Sequence, residues 1–377
     1  MSEVTRADEK DTNCSHNRVR MSDQNHQNNF PEMKKVTFAI FGLGRAGTIH
    51  FGNLMRNQRA VIRYIVEENR ARAEQVLQEL QFDIVSKECQ LVTAAEADKV
   101  YQDKSVDAVI VCTHTDSHKE IVQSSLQAGK SVFCEKPIAT ELSDTKACYD
   151  LAEKNGQFLF CAFNRRQDPS IRELQKRVRR GDLGQIQSIK TCSRDSPMPT
   201  KEYLKISGGI FHDCAVHDID VVCWILGEFP DVVYTQAHAF HESVAELGDV
   251  DQVNITMKFA SGIIATIDLN REASYGYDQR IEVFGSNGML ETRNNSKINL
   301  VGHLGKNGAS SDPVPFSFPQ RYADAYREEL EYFIDYVLGL DKHVEVTRTD
   351  TIMATIIAET CMMSYHKGIP IKLKDVM

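Results

Sequence analysis

Short apolar runs recur between residues 36 and 164, and a stretch of helical character separates each run from the next. The runs read VTFAIFG, AVIRYIVEEN, VDAVIVCTH, SVFCEKP and FLFCAFN. They are continuously apolar rather than alternating, which is typical of parallel strands covered on both faces. The pattern predicts an α/β domain with a doubly wound parallel sheet over residues 34–160.

The second half of the chain has longer strands with a period of two. These segments read QIQSIKTCSRD, DVVYTQAHAF, DQVNITMKFA, GIIATIDLN and QRIEVFGSNGMLETR. They predict a large, open, mostly antiparallel sheet in an α+β domain over residues 161–377. Two closing helices, one around Tyr326 and one from about Thr351 to His366, are expected to pack back onto the rest.

Length and composition limit the class of protein. At 377 residues the chain exceeds the size at which one core stops growing, so two domains are expected. Hydrophobic residues make up 42% and charged residues 26%, and no run approaches the roughly 20 apolar residues of a membrane span. The net charge of -9 disfavours nucleic acid and anionic membrane as partners. The first 33 residues are polar and nearly free of aliphatic side chains, which predicts a disordered tail.

The cysteines indicate a reducing compartment. All 10 are scattered, mostly inside apolar runs, and no CxxC pair occurs. Since the N-terminus also lacks an apolar signal region, we expect a cytoplasmic protein.

A glycine-rich loop follows the first predicted strand. GLGRAG supplies the candidate cofactor-binding residues Gly42, Gly44, Arg45, Ala46 and Gly47. Its spacing lets a backbone turn tightly, approach a pyrophosphate and pack a helix on a strand, as in the Rossmann fold. The helix that starts there favours an anionic phosphate at its N-terminus.

The second strand ends in VEEN, about twenty residues later. Glu67 stands where an acidic side chain accepts hydrogen bonds from the adenosine ribose. Its carboxylate would repel a 2′-phosphate, so NAD is expected as the cofactor and NADP is disfavoured. The alternative is that Glu67 and Glu68 are two solvated acids at a strand end.

The CEKP segment ends another predicted strand, at the edge where such sheets bind ligands. Lys136 can donate hydrogen bonds to a substrate hydroxyl and steady negative charge on oxygen. Glu135 can reach the nicotinamide ribose.

Asp213 and His217 stand four residues apart in a predicted helix after GG. They would share one helix face, and a carboxylate that orients an imidazole suits proton removal from a secondary alcohol. A purely structural pair and a metal site are the alternatives, although no third metal ligand is evident and no metal is expected.

The motifs together resemble those of the glucose-fructose oxidoreductase, inositol dehydrogenase and MocA family of NAD(P)-dependent oxidoreductases. The resemblance rests on GLGRAG, CTHTDSH, CEKP, AFNRRQD, GGIFHDCAVHDID and YGYDQRIEVFGSNG, and it covers all but the N-terminal tail. It implies a catalytic set of Lys136, Asp213 and His217, with His217 as the base. It also implies cofactor contacts from Thr113, His114 and His118, and substrate contacts from Arg165 or Arg166, Ser193, Asp195 and Tyr277.

Within that family the chain looks most like the inositol 2-dehydrogenases. The resemblance therefore implies NAD-dependent oxidation of a secondary hydroxyl of a cyclic polyol or sugar, with myo-inositol going to its 2-keto form. SRD at residues 193–195 and Asn164 depart from the common pattern and leave the substrate open. The alternatives are an NADP-dependent sugar or dihydrodiol dehydrogenase and an NAD-binding regulator without turnover. A homodimer or homotetramer through the open sheet is expected.

Overall fold

The computed structural model describes residues 33–85, 87–295, 298, 300–303, 305–306 and 308–377. Residues 34–377 form one compact unit. The predicted disordered tail lies outside the described residues except for Met33, so it stays a prediction. The expected division near residue 160 also stays a prediction.

The N-terminal half alternates strands and helices. Its elements are β1 (Val36–Phe41), α1 (Arg45–Arg56), β2 (Ala60–Val66), α2 (Arg70–Glu79), β3 (Gln90–Val92), α3 (Asp98–Gln102), β4 (Ala108–Val111), α4 (Thr115–Gln127), β5 (Ser131–Glu135), α5 (Leu142–Asn155) and β6 (Leu159–Ala162). The six strands are all parallel, in the order β3-β2-β1-β4-β5-β6. This confirms the predicted doubly wound sheet. Its strand order reverses between β1 and β4, which opens a crevice at their carboxyl ends.

The C-terminal half carries the second sheet. Its elements are α6 (Pro169–Arg179), β7 (Ile186–Arg194), α7 (Lys201–Ile206), a π-helical turn (Phe211–Ala215), α8 (Val216–Leu226), β8 (Val232–His238), α9 (Glu242–Ala245), β9 (Gln252–Lys258), β10 (Ile264–Asn270), β11 (Asp278–Gly285), β12 (Gly288–Thr292), β13 (Val301–His303), β14 (Ala309–Ser311), α10 (Phe318–Arg321), α11 (Ala323–Val337), α12 (Arg348–Lys367) and β15 (Ile371–Lys372). Seven strands form the sheet β12-β11-β7-β10-β9-β8-β15. The prediction of a mostly antiparallel sheet is confirmed, with β7 and β10 as a parallel pair.

The closing helices connect the two sheets. The helix α11 packs against α1, and α12 packs against α5, α8 and β8. The last helix begins at Arg348, before the expected Thr351, because Thr347 and Asp350 form a capping box that satisfies the first free amides. It ends at Gly368, as predicted, in a left-handed conformation.

The nine cysteines in the described part of the chain are all free. Among the same residues, no helix is both long and apolar enough to cross a membrane.

Candidate active site

One cavity of about 1210 Å³ opens at the carboxyl ends of β1, β4 and β5 and extends to α8 and the seven-stranded sheet. Every site residue expected from the sequence lines it, apart from Gly47 and Arg166. Those lining residues are Gly42, Gly44, Arg45, Ala46, Glu67, Thr113, His114, His118, Glu135, Lys136, Arg165, Ser193, Asp195, Asp213, His217 and Tyr277. The fold therefore gathers residues from both halves of the chain around one space.

The three glycines of the loop have different physical tasks. Gly42 has a φ of +88°, and a Cβ there would lie 2.7 Å from the carbonyl oxygen of Cys112. A Cβ at Gly47 would lie 2.0 Å from the carbonyl oxygen of Gly42, so this glycine lets α1 pack on its own loop. A Cβ at Gly44 would meet no atom of the described residues within 4 Å, and Gly44 lines the cavity. Gly44 is thus the position that leaves room for an anionic ligand at the start of α1.

Glu67 is fixed beside this loop. Its Oε2 accepts a hydrogen bond from the Leu43 amide at 2.7 Å, and its Oε1 accepts one from the Asn69 amide at 2.9 Å. Arg72 lies on the same wall and donates from Nε to the Leu43 carbonyl at 3.2 Å. An acid and a cation therefore stand together where the sequence predicted the adenosine ribose.

Lys136 and Asp213 are in direct contact. The Lys136 ammonium donates to the Asp213 carbonyl at 2.6 Å and lies 3.3 Å from its Oδ1. The same carboxylate accepts a hydrogen bond from the Tyr203 hydroxyl at 2.8 Å and one from buried Arg271 at 3.1 Å. Burial acts to raise the pKa of Asp213, but the charges of Lys136 and Arg271 and these hydrogen bonds outweigh it and lower the pKa.

The expected hydrogen bond between Asp213 and His217 is not formed, and that part of the sequence interpretation is wrong. The π-helical turn changes the spacing on which the shared helix face was predicted. Two cations and a phenol also satisfy the Asp213 carboxylate. Among the described residues, Nδ1 of His217 has no hydrogen-bond partner.

The surroundings of His217 favour the neutral imidazole. Burial lowers its pKa well below 6.5, and the charges of Lys136 and Arg165 lower it further. Its ring faces Phe163 edge-on with centroids 6.2 Å apart. A neutral imidazole that lines a cavity beside a lysine can accept a proton.

A buried polar network holds the part of the cavity wall that Arg165 and Ser193 form. Arg165 donates to the Ser193 hydroxyl at 3.2 Å and pairs with Asp218 at 3.0 Å. The Ser193 hydroxyl donates to Asp218 at 2.6 Å and lies 3.0 Å from Gln279 Oε1. These contacts fix the Arg165 guanidinium at the cavity wall.

Arg166 does not share the place of Arg165. It is buried away from the cavity and binds Asp220 through two nitrogens at 2.6 and 2.9 Å. Of the two arginines that the sequence left open as substrate contacts, the structure therefore puts Arg165 on the cavity and Arg166 in the core.

Asp195 and Tyr277 line the same region. Asp195 accepts a hydrogen bond from the Ser196 amide at 2.8 Å. Burial, followed by the charge of nearby Asp213, raises the pKa of Asp195. Tyr277 is buried and packs edge-on against Tyr322 with ring centroids 6.0 Å apart.

His118 contacts two backbone carbonyls at the edge of the cavity. Its Nδ1 lies 2.7 Å from the Pro137 carbonyl and its Nε2 lies 3.1 Å from the Thr113 carbonyl. A neutral imidazole has one N–H, so His118 donates to one of these two carbonyls, and the carbonyl of Pro137 is the nearer. His118 ties the loop after Lys136 to the end of β4.

Sequence reasoning missed several residues that line the cavity or hold it. Tyr203 and Arg271 hold Asp213, while Gln279 and Tyr322 complete the Ser193 network. The ring of Tyr203 also lies 4.9 Å from the Arg45 guanidinium. No local motif marks these residues, because their roles depend on contacts between distant parts of the chain.

Comparison with known proteins decides the family. Residues 36–163 match the description "Oxidoreductase family, NAD-binding Rossmann fold", and residues 171–291 match "GFO/IDH/MocA C-terminal domain". The chain belongs to the GFO/IDH/MocA oxidoreductase family. The resemblance inferred from the motifs is thereby confirmed, as is the NAD-binding fold of the N-terminal half.

Individual members of the GFO/IDH/MocA family resemble this chain along nearly all of their length. It is 33% identical to the myo-inositol 2-dehydrogenase of Thermotoga maritima over 91% of this chain and 100% of that protein. The structure of a putative myo-inositol dehydrogenase from Sinorhizobium meliloti 1021 superimposes with a TM-score of 0.83 at 31% identity, covering 90% of this chain and 100% of the other. The scyllo-inositol dehydrogenase of Lactobacillus casei with bound NAD(H) and scyllo-inositol gives 0.81 at 26%, covering 90% and 100%.

Proposed function

We propose that this oxidoreductase transfers a hydride from a secondary carbinol carbon of a cyclic polyol to NAD, and that myo-inositol, oxidised to its 2-keto form, is the substrate. The observation that carries the proposal is the convergence of Lys136, Asp213 and His217 on one cavity with the glycine loop. The names of its relatives, which are myo- and scyllo-inositol dehydrogenases, support the substrate class.

The residues of the cleft fit a dinucleotide. Gly44 leaves open space at the N-terminus of α1, where a pyrophosphate is favoured. Glu67 is held by two backbone amides beside that loop. Its remaining lone pairs can accept hydrogen bonds from ribose hydroxyls, and its charge opposes a 2′-phosphate. These features support NAD over NADP. Thr113, His114 and Glu135 then line the path toward the nicotinamide end.

When bound, NAD supplies the hydride acceptor at C4 of its nicotinamide. His217 accepts the hydroxyl proton, because its lowered pKa keeps it unprotonated at neutral pH. Lys136 holds the substrate oxygen and stabilises the negative charge that develops as the proton leaves. Asp213 fixes the lysine through its carbonyl and carboxylate. The alcohol therefore loses one proton to the protein and one hydride to the cofactor, which balances the oxidation to a ketone.

The polar groups around this centre suit a ring with many hydroxyls. Arg165 and Lys136 offer donors, Asp195 offers a carboxylate, and Tyr277 and Gln279 offer groups able to donate or accept. An apolar substrate would leave these groups unpaired, at a cost in binding.

The test is a substrate screen. The full chain is incubated with myo-inositol, scyllo-inositol and hexoses, each with NAD and with NADP, while the absorbance of the reduced cofactor is followed. We expect the highest kcat/KM with myo-inositol and NAD. Preferred turnover of a hexose, or a higher kcat/KM with NADP than with NAD, would contradict the proposal.

We also propose that a second copy of the chain covers the outer face of the seven-stranded sheet. Ile264, Phe284 and Met289 are 48%, 43% and 46% exposed there. They lie in one row, because Ile264 and Phe284 both pair with Ser188 and Phe284 pairs with Met289. Sedimentation equilibrium should give a dimer or tetramer, and Phe284→Glu should shift it toward monomer. A monomeric wild-type chain would refute this.

A further inference from the structure

Three titratable side chains form a buried cluster that the mechanism above does not use. His50 comes from α1, Glu135 from the end of β5 and Glu329 from α11, and one ligand atom of each lies within 4.8 Å of the others. These elements meet behind the cavity wall beside Lys136. Only Glu135 reaches the cavity, and its side chain is 15% exposed.

His50 contacts Glu135 from the buried side of the cluster. Its Nε2 lies 2.9 Å from Oε1 of Glu135. The ring is fully buried, with edge-on contacts to Phe133 at 4.8 Å and Tyr326 at 5.4 Å. Because a carboxylate can only accept, Nε2 carries the proton and donates it. The aromatic rings leave the imidazole little freedom to turn.

Glu329 stands on the other side of His50. It is fully buried, and neither of its oxygens has a hydrogen-bond partner among the described residues. Its Oε1 lies 3.9 Å from Nε2 of His50. Burial, followed by the charge of Glu135, raises the pKa of Glu329 well above its usual value. A raised pKa favours the protonated carboxyl at Glu329, which lies beside the pair formed by His50 and Glu135.

We propose that His50 and Glu329 are positioning residues that hold the Glu135 carboxylate at the nicotinamide end of the cavity. The inference rests on the proposed contact between Glu135 and the nicotinamide ribose. The helix α11, which packs against α1 and its neighbours, would then also support the cofactor site through Glu329.

Substitutions at Glu329 distinguish a positioning role from a side chain that only fills space. A carboxyl group that only fills space can be replaced by leucine without loss, because an apolar group of similar shape suits a buried site better than an unpaired polar one. A residue that acts through Glu135 cannot be replaced so freely. Glutamine has the shape of glutamic acid, is neutral and can donate, so it mimics the neutral acid but not a carboxylate or a metal ligand.

The experiment titrates the full chain with NADH and follows nicotinamide fluorescence, without any polyol, so that it stands apart from the substrate screen. Glu329→Leu should keep or raise the melting temperature and weaken NADH binding by roughly fivefold or more, whereas Glu329→Gln should stay within about twofold of wild type. Glu328→Leu, on an exposed turn of the same helix, is the matched control and should leave NADH binding unchanged.

Double variants decide whether the effect passes through Glu135. In a Glu135→Ala background, Glu329→Leu should weaken NADH binding no further, since its target is gone. His50→Leu should also weaken NADH binding by itself and add no further loss in the Glu135→Ala background. It supplies a second test if Glu329→Leu does not fold. Wild-type NADH binding by Glu329→Leu, equal losses for the leucine and glutamine variants, or additive losses with Glu135→Ala would each overturn the inference.

Discussion

The side-chain nitrogen of Lys136 lies 2.6 Å from the backbone carbonyl oxygen of Asp213 and 3.3 Å from its carboxylate. The two residues are 77 positions apart, one on the loop after β5 and the other on the π-helical turn before α8. The lysine is thus held in place by the second half of the chain before any substrate arrives.

Lys136→Met should remove the donor that stabilises the substrate oxygen. We expect kcat/KM for myo-inositol to fall by about a hundredfold or more, on the scale of losing one donor to a developing oxyanion. Lys119→Met, at an exposed ion pair on α4, is the control and should keep its activity. Steady-state rates with a melting curve separate loss of chemistry from loss of fold. A Lys136→Met enzyme with near-normal kcat/KM would exclude this role.

His217 gives the reaction a defined pH dependence. Since its pKa lies well below 6.5, the base stays unprotonated as the pH falls from neutral through 6.5. The kcat/KM for alcohol oxidation should therefore hold steady there and drop only at lower pH. His217→Ala should cut turnover by about a hundredfold or more with little change in NADH affinity. Exposed His241→Ala serves as the control. An acid limb at or above pH 6.5, or normal turnover without His217, would contradict the assignment.

Glu67→Ser should change cofactor choice. The substitution removes the charge opposed to a 2′-phosphate and leaves Arg72 on the same wall as a partner for it. The KM for NAD should rise and the KM for NADP should fall, both measured with one polyol at saturation. If the ratio of the two efficiencies does not move, Glu68 becomes the acid to test.

The glycine loop offers a pair of alanine variants with opposite consequences. Gly44→Ala should fold normally, because its Cβ meets nothing within 4 Å and its φ is -66°, but it should weaken NADH binding by crowding the pyrophosphate. Gly47→Ala should lower the melting temperature, because its Cβ would lie 2.0 Å from the Gly42 carbonyl. If the two variants melt at the same temperature, or if Gly44→Ala binds NADH as well as the wild type, the roles of these glycines are misassigned.

Local patterns in the sequence predicted the two sheets, the glycine-rich loop and the family resemblance. Continuous apolar runs and period-two strands predict which faces are buried, because the hydrophobic periodicity of a segment can be seen within that segment alone. GLGRAG could be interpreted because the spacing of its three glycines is a local signal for a tight turn that opens a helix. CEKP and the Asp213 segment could also be recognised locally, because each places charged side chains at the end of an apolar strand or in an apolar helix.

Which side chains contact one another became visible in the packed fold. Asp213 is bound by residues 10, 58 and 77 positions away, and none of them is His217. Arg165 and Arg166 are neighbours in sequence, yet one faces the cavity and the other is buried against Asp220. In the sequence Glu329 is one of several polar residues of an amphipathic helix. Its place beside Glu135 follows from the packing of α11 next to β5. Local patterns encode the faces of elements, whereas hydrogen-bond partners depend on how distant elements meet, and that information is not contained in any single segment.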